Sequence, residues 1–507
     1  MVTKVARDYA RPPARHLAAV VVVAVVAVAG SLDVTAAGDL RLIDAVKNRD
    51  GEAVKTLLAQ HVDVNAAQGD GATALHWAAH FDDQGMADSL LRAGARPNSA
   101  DDTGVTPIYL ACLNRSRTMV EKLLSAGANP NATLMNGETA LMTCARSGEA
   151  GAVKALLARG ADVNKKEPAH DQTALMWAAA QKHPDVVAVL LERRADVHAR
   201  SRSYTQTVTS EVTQRAGREA LNYTVPRGGS TPLLFAARSG DVESARLLLA
   251  AGADVNDALP NGMTALVEAA HSGNQAVGIL LLNSGADANA ADVGYTALHA
   301  AVLKGSLELV KALLAHGANP NAQLVKGTPV RRNSEDFELP ATLIGATPYL
   351  LAAKFLEPDI MRTLSVAGAD PQRPMKTGET PLMAAAGVGA GAQLDRRGLS
   401  VLDGGKIEDE QLVVDTVAAV IADGGDVNAV NQAGDTALHG AATLGFNRVI
   451  ELLVEHGAQP NVRNKRGQTP LALVAARKTD VTRASDRPRG SGQQATAELL
   501  RKLGAVD

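Results

Sequence analysis

The chain has few of the residues that fill a large aromatic core. Aromatic side chains make up 3% of its 507 residues, and only five Phe and two Trp are present. A single hydrophobic core rarely grows beyond about 250–300 residues. We therefore expect the buried apolar side chains, mainly Ala, Leu and Val, to be divided among many small interfaces, as in several domains or a stack of repeats.

The positive and negative charges of the chain nearly cancel, and cysteines and cofactor-binding motifs are also scarce. The formal net charge is −3, which provides no global attraction to nucleic acid, so we predict no nucleic-acid partner. His76 and His80 have the spacing of a zinc-protease motif, but Trp77 stands where that motif needs Glu. We predict no metal, no cofactor and no enzymatic activity.

The N-terminus contains an apolar run, Leu17–Ala29, that is shorter than the roughly 20 residues needed to span a membrane. The run follows four basic residues and precedes a Val-Thr-Ala-Ala segment that ends at Ala37. This order is typical of a secretory signal peptide, predicted here for residues 1–37. We expect an exported protein, located in the periplasm if the source is bacterial. Secretion, or anchoring by an uncleaved N-terminus, is the alternative.

A threonine recurs along the rest of the chain at a nearly fixed interval. Seven of the ten gaps between these threonines lie at or within one residue of 33. A period of this size indicates a repeat architecture. The threonines are Thr73, Thr106, Thr139, Thr173, Thr231, Thr264, Thr296, Thr347, Thr380, Thr436 and Thr469.

Each unit has the pattern of two helices followed by a loop. In the unit 137–164, Thr139 is placed to cap a first helix, and a pair of small residues then permits close helix packing. A second helix carries Leu156 and Leu157 and is expected to end at Gly160, which suits a left-handed conformation. His61 and Arg194 replace this glycine in two units, where we expect lower local stability.

The segment Thr73–Ala79, with the sequence TALHWAA, closely resembles the Thr-Pro-Leu-His-x-Ala signature of the ankyrin repeat. The resemblance implies an all-α repeat solenoid of about twelve stacked helix-turn-helix units, each with a finger loop. The predicted parts are repeats 1–5 (38–199), repeats 6–8 (230–322) and repeats 9–12 (347–507), with insertions at 200–229, 323–346, 387–411 and 478–492.

The two cysteines, Cys112 and Cys144, occupy small-residue positions in neighbouring first helices. Packed helices lie about 8–10 Å apart, whereas a disulfide requires Cα atoms within roughly 7 Å. We therefore expect buried free thiols rather than a bridge.

The resemblance also indicates which residues line the concave face. In each unit these are the two residues after the paired small residues, which we call the inner row. The row contains no acidic residue and several cationic ones, which predicts a partner with an acidic surface. The candidate contact residues are His80, Phe81, Arg146, Arg238, His271, Lys304, Lys354 and Phe355, with Tyr204 and Tyr223 added from the insertion 200–229.

The predicted function is that of a non-catalytic scaffold, monomeric, that binds another protein through its concave face and finger loops. A secreted effector that engages a host protein is one alternative. An enzyme whose site is built by the insertions is another, although insertions of 15–30 residues are too short for an independent catalytic domain.

Overall fold

The computed structural model describes residues 39–209, 222–327, 339, 341–388, 402–403, 406–407, 410–476 and 490–506. The chain divides into two compact units, the first ending at Ala199 and the second beginning at Arg200. The predicted signal peptide, residues 1–37, lies outside the described residues, as do parts of all four predicted insertions. No helix of the described chain combines the length and the apolar character that crossing a bilayer requires.

The first unit consists of five helix pairs. These are α1 (Arg41–Lys47) with α2 (Gly51–Ala59), α3 (Ala74–His80) with α4 (Gln84–Arg92), α5 (Pro107–Leu113) with α6 (Arg117–Ser125), α7 (Ala140–Ser147) with α8 (Ala150–Ala158), and α9 (Ala174–Ala180) with α10 (Pro184–Glu192). The sequence thus forms the paired helices expected of an ankyrin solenoid.

The second unit continues the pattern with seven pairs in its described parts. These are α11 (Pro232–Ser239) with α12 (Val242–Ala250), α13 (Ala265–His271) with α14 (Gln275–Asn283), α15 (Ala297–Lys304) with α16 (Leu307–Ala315), α17 (Pro348–Lys354) with α18 (Pro358–Val366), α19 (Pro381–Ala385) with α20 (Glu410–Ala422), α21 (Ala437–Leu444) with α22 (Asn447–Glu455), and α23 (Pro470–Ala476) with α24 (Gly490–Lys502). A short 3₁₀ turn, Ala341–Leu343, precedes α17.

The repeated threonine lies at the N-cap position of the first helix in its pair, and in most repeats its side chain accepts from a backbone N–H of the first turn, although Thr106 and Thr231 make no such bond. Thr139 Oγ1, for example, accepts from Met142 N at 3.2 Å, satisfying one of the free N–H groups at the start of α7. The paired small residues that follow are buried. Ala78 and Ala79, for example, are 0% exposed to solvent. The sequence prediction for this part of the repeat is confirmed.

The signature histidine holds the threonine turn and the next repeat together. His76 Nδ1 accepts from Thr73 N at 3.1 Å, so the proton is on Nε2, which donates to Val105 O of the following repeat at 3.0 Å. His299 and His439 make equivalent contacts. Burial lowers the pKa of His76 and His439, and lowers that of His299 to about 4. These histidines have a structural role.

Two expected departures from the repeat have the left-handed backbone that the pattern requires. His61 and Arg194 have φ of 55° and 62° where other repeats use glycine, such as Gly160 at 89°. The sequence did not indicate a second group of such residues, which lies in the turns between paired helices. Its members are Arg49, Asp82, Arg115, Lys182 and Leu356.

Asparagines after the second helices connect successive repeats. Asn131 Nδ2 donates to Gly160 O at 2.9 Å, and Asn131 Oδ1 accepts from Asp162 N at 2.8 Å. Asn98 makes the same two bonds with Gly127 and Asn129. Each asparagine thereby satisfies a carbonyl at a helix end, where no intrahelical partner exists.

The prediction of free thiols is wrong, because Cys112 and Cys144 form a disulfide between α5 and α7. Their Cα atoms are 4.6 Å apart and both side chains are fully buried. The typical interaxial distance overestimated this separation. First helices that face each other through small residues bring their backbones closer than helices with large side chains do.

The insertions add two small antiparallel ribbons to the helical chain. The first, predicted only as an extended finger loop, pairs β1 (Tyr204–Thr209) with β2 (Asn222–Arg227). The second pairs β3 (Leu402–Asp403) with β4 (Lys406–Ile407), between the two helices of one repeat. The Tyr, Thr and Val residues of 204–209 and 222–227, which are types enriched in strands, were the available signal for the first ribbon.

Candidate protein-binding surface

The inner row of the first unit contains a cluster of aromatic rings at the end of α3. The ring centroids of Trp77, His80 and Phe81 lie 5.1–5.8 Å apart. Two cations cover these rings: Lys47 Nζ is 4.5 Å from the Trp77 ring, and Arg49 Cζ is 4.6 Å from the Phe81 ring. We call these five residues the aromatic cluster.

The aromatic cluster is partly open to solvent. His80 and Arg49 are exposed, while Trp77 and Phe81 are half-buried. Trp77 Nε1 donates to Gln68 Oε1 at 2.9 Å, which fixes the indole. Arg49 has the left-handed backbone that recurs in the turns between paired helices. The surface combines rings and a guanidinium, the groups enriched at binding hot spots.

Arg146, at the end of α7, has an acidic partner within its own repeat. Its Nη2 lies 3.0 Å from Glu138 Oε1, and its Cζ lies 5.2 Å from the centroid of the Trp177 ring. Tyr109 adjoins this ion pair, and burial, followed by the charge of Glu138, raises its pKa. Arg146 is therefore held between a carboxylate and an indole, and its charge is partly offset.

Arg238, in the second unit, is paired in a similar way. Arg238 Nε lies 2.6 Å from Glu268 Oε1 of the next repeat, and Arg238 Cζ lies 5.9 Å from the Phe235 ring. The charge of Glu268, above all, raises the pKa of Arg238. Glu268 lies outside the inner row, so the row alone overstated the positive charge of this surface.

The remaining candidates of the second unit lie at the ends of their first helices and are half-buried. They are His271, Lys304, Lys354 and Phe355. The His271 ring centroid is 6.0 Å from that of Tyr295. The charge of Lys354 acts on Glu379, whose pKa is nevertheless raised because burial outweighs that attraction. These residues remain candidates for partner contact.

Tyr204 and Tyr223 both lie in the ribbon of β1 and β2. Tyr204 is 51% exposed, and as the first residue of β1 it pairs with Arg227 of β2. Tyr223 lies in β2 and its backbone pairs with Val208. The insertion thus presents an exposed aromatic side chain on a two-stranded ribbon.

Sequence reasoning missed Trp77, Lys47 and Arg49 as members of the same surface as His80 and Phe81. A signal was available, because Trp77 precedes His80 and Phe81 by three and four residues and so shares a helix face with both. The acidic partners Glu138 and Glu268 lie outside the inner row, so the charges of the row do not reveal them.

Family models for ankyrin repeats match most of the chain. The model for three copies matches residues 42–134, 119–201, 233–323 and 410–484. A model for many copies matches residues 175–249. The matches thus include both compact units.

Similar proteins match over short segments. Human neurogenic locus notch homolog protein 1 is 33% identical over 144 residues, 26% of this chain and 6% of that protein. Human 2-5A-dependent ribonuclease is 40% identical over 63 residues, 12% of this chain and 8% of that protein. The chain therefore spans less than a tenth of these curated relatives. The crystal structure of the human ASB11 ankyrin repeat domain is 28% identical, covers 48% of this chain and 96% of that domain, and gives a TM-score of 0.39.

Proposed function

This chain belongs to the ankyrin-repeat family, whose members generally bind proteins, and we propose that it is an exported, non-catalytic scaffold that binds one protein partner through its concave face and finger loops. Stacked repeats contact only their neighbours and form a nearly one-dimensional framework. A framework already ordered before binding loses little entropy when the partner docks.

The aromatic cluster is the observation that carries the binding proposal. A chain with two Trp and five Phe has one Trp and one Phe together in the aromatic cluster, next to an exposed His and in contact with two cations. Burying these side chains against a partner removes apolar surface from water, and the exposed Arg49 can still donate to a partner carboxylate.

The disulfide supports the proposed export. Disulfides form and persist in oxidising compartments such as the periplasm and the extracellular space, and they are rare in the cytosol. Cys112 and Cys144 are the only cysteines of the chain. Their bond agrees with the signal-peptide pattern at residues 1–37, which is an independent observation.

In vivo crosslinking followed by affinity capture tests the proposal. The intact protein is compared with Phe81→Ala and Arg49→Ala, which remove one ring and one cation from the aromatic cluster. The matched control is Val366→Ala, because Val366 is 91% exposed and lies in a second helix. We expect the two cluster variants to lose captured partner and the control to retain it.

Cell fractionation tests the location. We expect the protein in the exported fraction, shortened by the signal peptide. Recovery from culture supernatant without lysis would favour the secreted-effector alternative. A full-length protein in the cytosol would refute the proposed export. Equal capture of the partner by all variants would refute binding through the aromatic cluster.

A further inference from the structure

The ribbon of β1 and β2 has two open edges. Its strands pair in register from Tyr204 with Arg227 to Thr209 with Asn222, and within the described chain its sheet has only these two strands. Each strand is therefore an edge with unpaired backbone N–H and C=O groups. An isolated two-stranded ribbon is at best marginally stable in water, so an additional strand would stabilise it.

Pro226 identifies the backbone groups that point outwards. Pro226 pairs with Thr205 and has no backbone N–H. A hydrogen-bonded antiparallel pair exchanges both N–H···O bonds, so the pair of Thr205 and Pro226 is of the non-hydrogen-bonded kind. Hydrogen-bonded and non-hydrogen-bonded pairs alternate along an antiparallel ladder. The other pairs of the same kind are Thr207 with Thr224 and Thr209 with Asn222.

The outer edges of β1 and β2 consequently differ in the backbone groups that they offer to another strand. On β1, the backbones of Thr205, Thr207 and Thr209 direct both N–H and C=O away from β2. On β2, Pro226 lacks the outward donor. Natural proteins protect edge strands with Pro or charged residues, and β1, with the sequence YTQTVT, has neither. The edge of β1 is therefore the one that can accept another strand.

The base of the ribbon is fixed to the repeats. Ser201 N donates to Ser230 O at 3.0 Å, and Ser230 N donates to Ser201 Oγ at 2.9 Å. Arg200 Nη1 donates to the carbonyls of Gly229 and Ala258, at 3.0 and 3.1 Å. An edge held on such a base loses less entropy on binding than a free loop would.

Charge indicates what occupies this edge. The described residues of the insertion, 200–209 and 222–229, contain three Arg and no acidic residue, and Asp257 forms an ion pair with Arg200, so three positive charges and one negative charge leave a net charge of +2. A second copy that paired through its own ribbon would bring the same positive charge to the edge and be repelled. A segment that carries Asp or Glu would be attracted.

We propose that the outer edge of β1 binds an extended acidic segment of the partner protein, which adds to the ribbon as a third antiparallel or parallel strand. Outward N–H and C=O groups of Thr205, Thr207 and Thr209 bond its backbone, and Arg202 and Arg227, next to and within the ribbon, attract its carboxylates. This mode of recognition is β-strand addition. The inference rests on the proposed scaffold function and assigns one contact site to it.

The test uses the full chain and a synthetic decapeptide of alternating Glu and Val as the probe. A Lys–Val decapeptide is the charge control. We expect the Glu–Val peptide to bind, measured by fluorescence anisotropy, and to slow amide hydrogen exchange in residues 204–209. The Lys–Val peptide should bind at least about tenfold more weakly, because its charge is repelled.

Two proline variants make a matched pair. Thr207→Pro removes an outward N–H from β1, and Thr224→Pro removes the outward N–H directly opposite it on β2. Both prolines occupy positions of the same kind as Pro226, so the ribbon keeps its internal bonds. Thr207→Pro should weaken binding of the Glu–Val peptide about tenfold, and Thr224→Pro less than about twofold.

Thr205→Glu provides a second variant that leaves the backbone donors unchanged. It adds a negative charge at the edge and should weaken the Glu–Val peptide while improving the Lys–Val peptide. Equal affinity for both peptides, equal effects of the two prolines, or no exchange protection in β1 would overturn the proposal. Dimerisation in sedimentation experiments that Thr207→Pro abolishes would overturn it in favour of a second copy as the occupant.

Failure of this inference is distinguishable from failure of the scaffold function. If Thr207→Pro and the intact protein capture the same partner in crosslinking, and the Glu–Val peptide does not bind, the scaffold remains and the β1 site is rejected. If the intact protein captures no partner, the scaffold function itself is rejected, whatever the peptides do.

Discussion

Arg238 and Glu268 join two successive repeats through an ion pair, with Arg238 Nε 2.6 Å from Glu268 Oε1. The Glu268 side chain is only 7% exposed, while that of Arg238 is 37% exposed. The pair therefore provides the charge compensation that a nearly buried carboxylate needs. It also means that this cation of the inner row already has an acidic partner within the protein.

Removal of Arg238 should destabilise the second unit. Arg238→Met leaves the Glu268 carboxylate without its cation, and we expect the free energy of unfolding to fall by about 1–3 kcal/mol in urea titrations. Arg238→Met combined with Glu268→Leu should recover most of this loss. The control is Arg246→Met, which breaks an exposed pair with Glu243 and should cost at most about 0.5 kcal/mol. Equal losses in both single variants would contradict this account.

Stability should decline in mildly acidic solution because of the buried histidines. Burial lowers the pKa of His299 from 6.5 to about 4, so the folded state favours the neutral ring. The contribution of His299 to the free energy of unfolding is complete above pH 6.5 and is lost as the pH falls towards 4. The loss is at most about 3 kcal/mol. His299→Gln should flatten the dependence of the unfolding free energy on pH in this window. An unchanged slope would refute the assignment.

The disulfide should be present in the native protein and contribute to its stability. Its cysteines are 32 residues apart, and closing a loop of this size is worth about 3–4 kcal/mol in the chain-entropy model. Cys112→Ala combined with Cys144→Ala should lower the free energy of unfolding by up to this amount. Maleimide should label neither cysteine in denatured, unreduced protein. Labelling of both would show that the bond is absent.

Arg194→Gly should stabilise the end of the first unit. Arg194 has φ of 62° at a position where Gly160 has 89°, and glycine adopts this conformation without steric cost. We expect a gain of about 1 kcal/mol in the free energy of unfolding. Gly160→Arg is the reciprocal control and should lose a similar amount. A loss of stability in Arg194→Gly would indicate that the arginine side chain contributes more than its backbone costs.

The helix pairs could be predicted from the sequence because each relies on local rules. Thr139 caps a helix, Ala78 and Ala79 allow close packing, and Gly160 ends a helix, whatever the rest of the chain does. The disulfide could not be predicted in this way, because it depends on how closely two helices from different repeats approach each other.

The candidate surface was only partly predictable for the same reason. His80 and Phe81 follow from position in the repeat, whereas the cations of Lys47 and Arg49 reach their rings from a different repeat. The pairing of Arg146 and Arg238 with carboxylates likewise depends on side chains outside the pattern. The β1–β2 ribbon required strand pairing across an insertion, whose sequence the repeat pattern does not specify.

Site-specific photocrosslinking in living cells tests the central claim, that a protein partner binds at the inner row, most directly. A benzophenone amino acid replaces either His80, which is exposed in the aromatic cluster, or Val366, which is 91% exposed in a second helix. We predict a discrete crosslinked protein adduct from position 80 and none from position 366. Adducts from both positions, or from position 366 alone, would contradict the account.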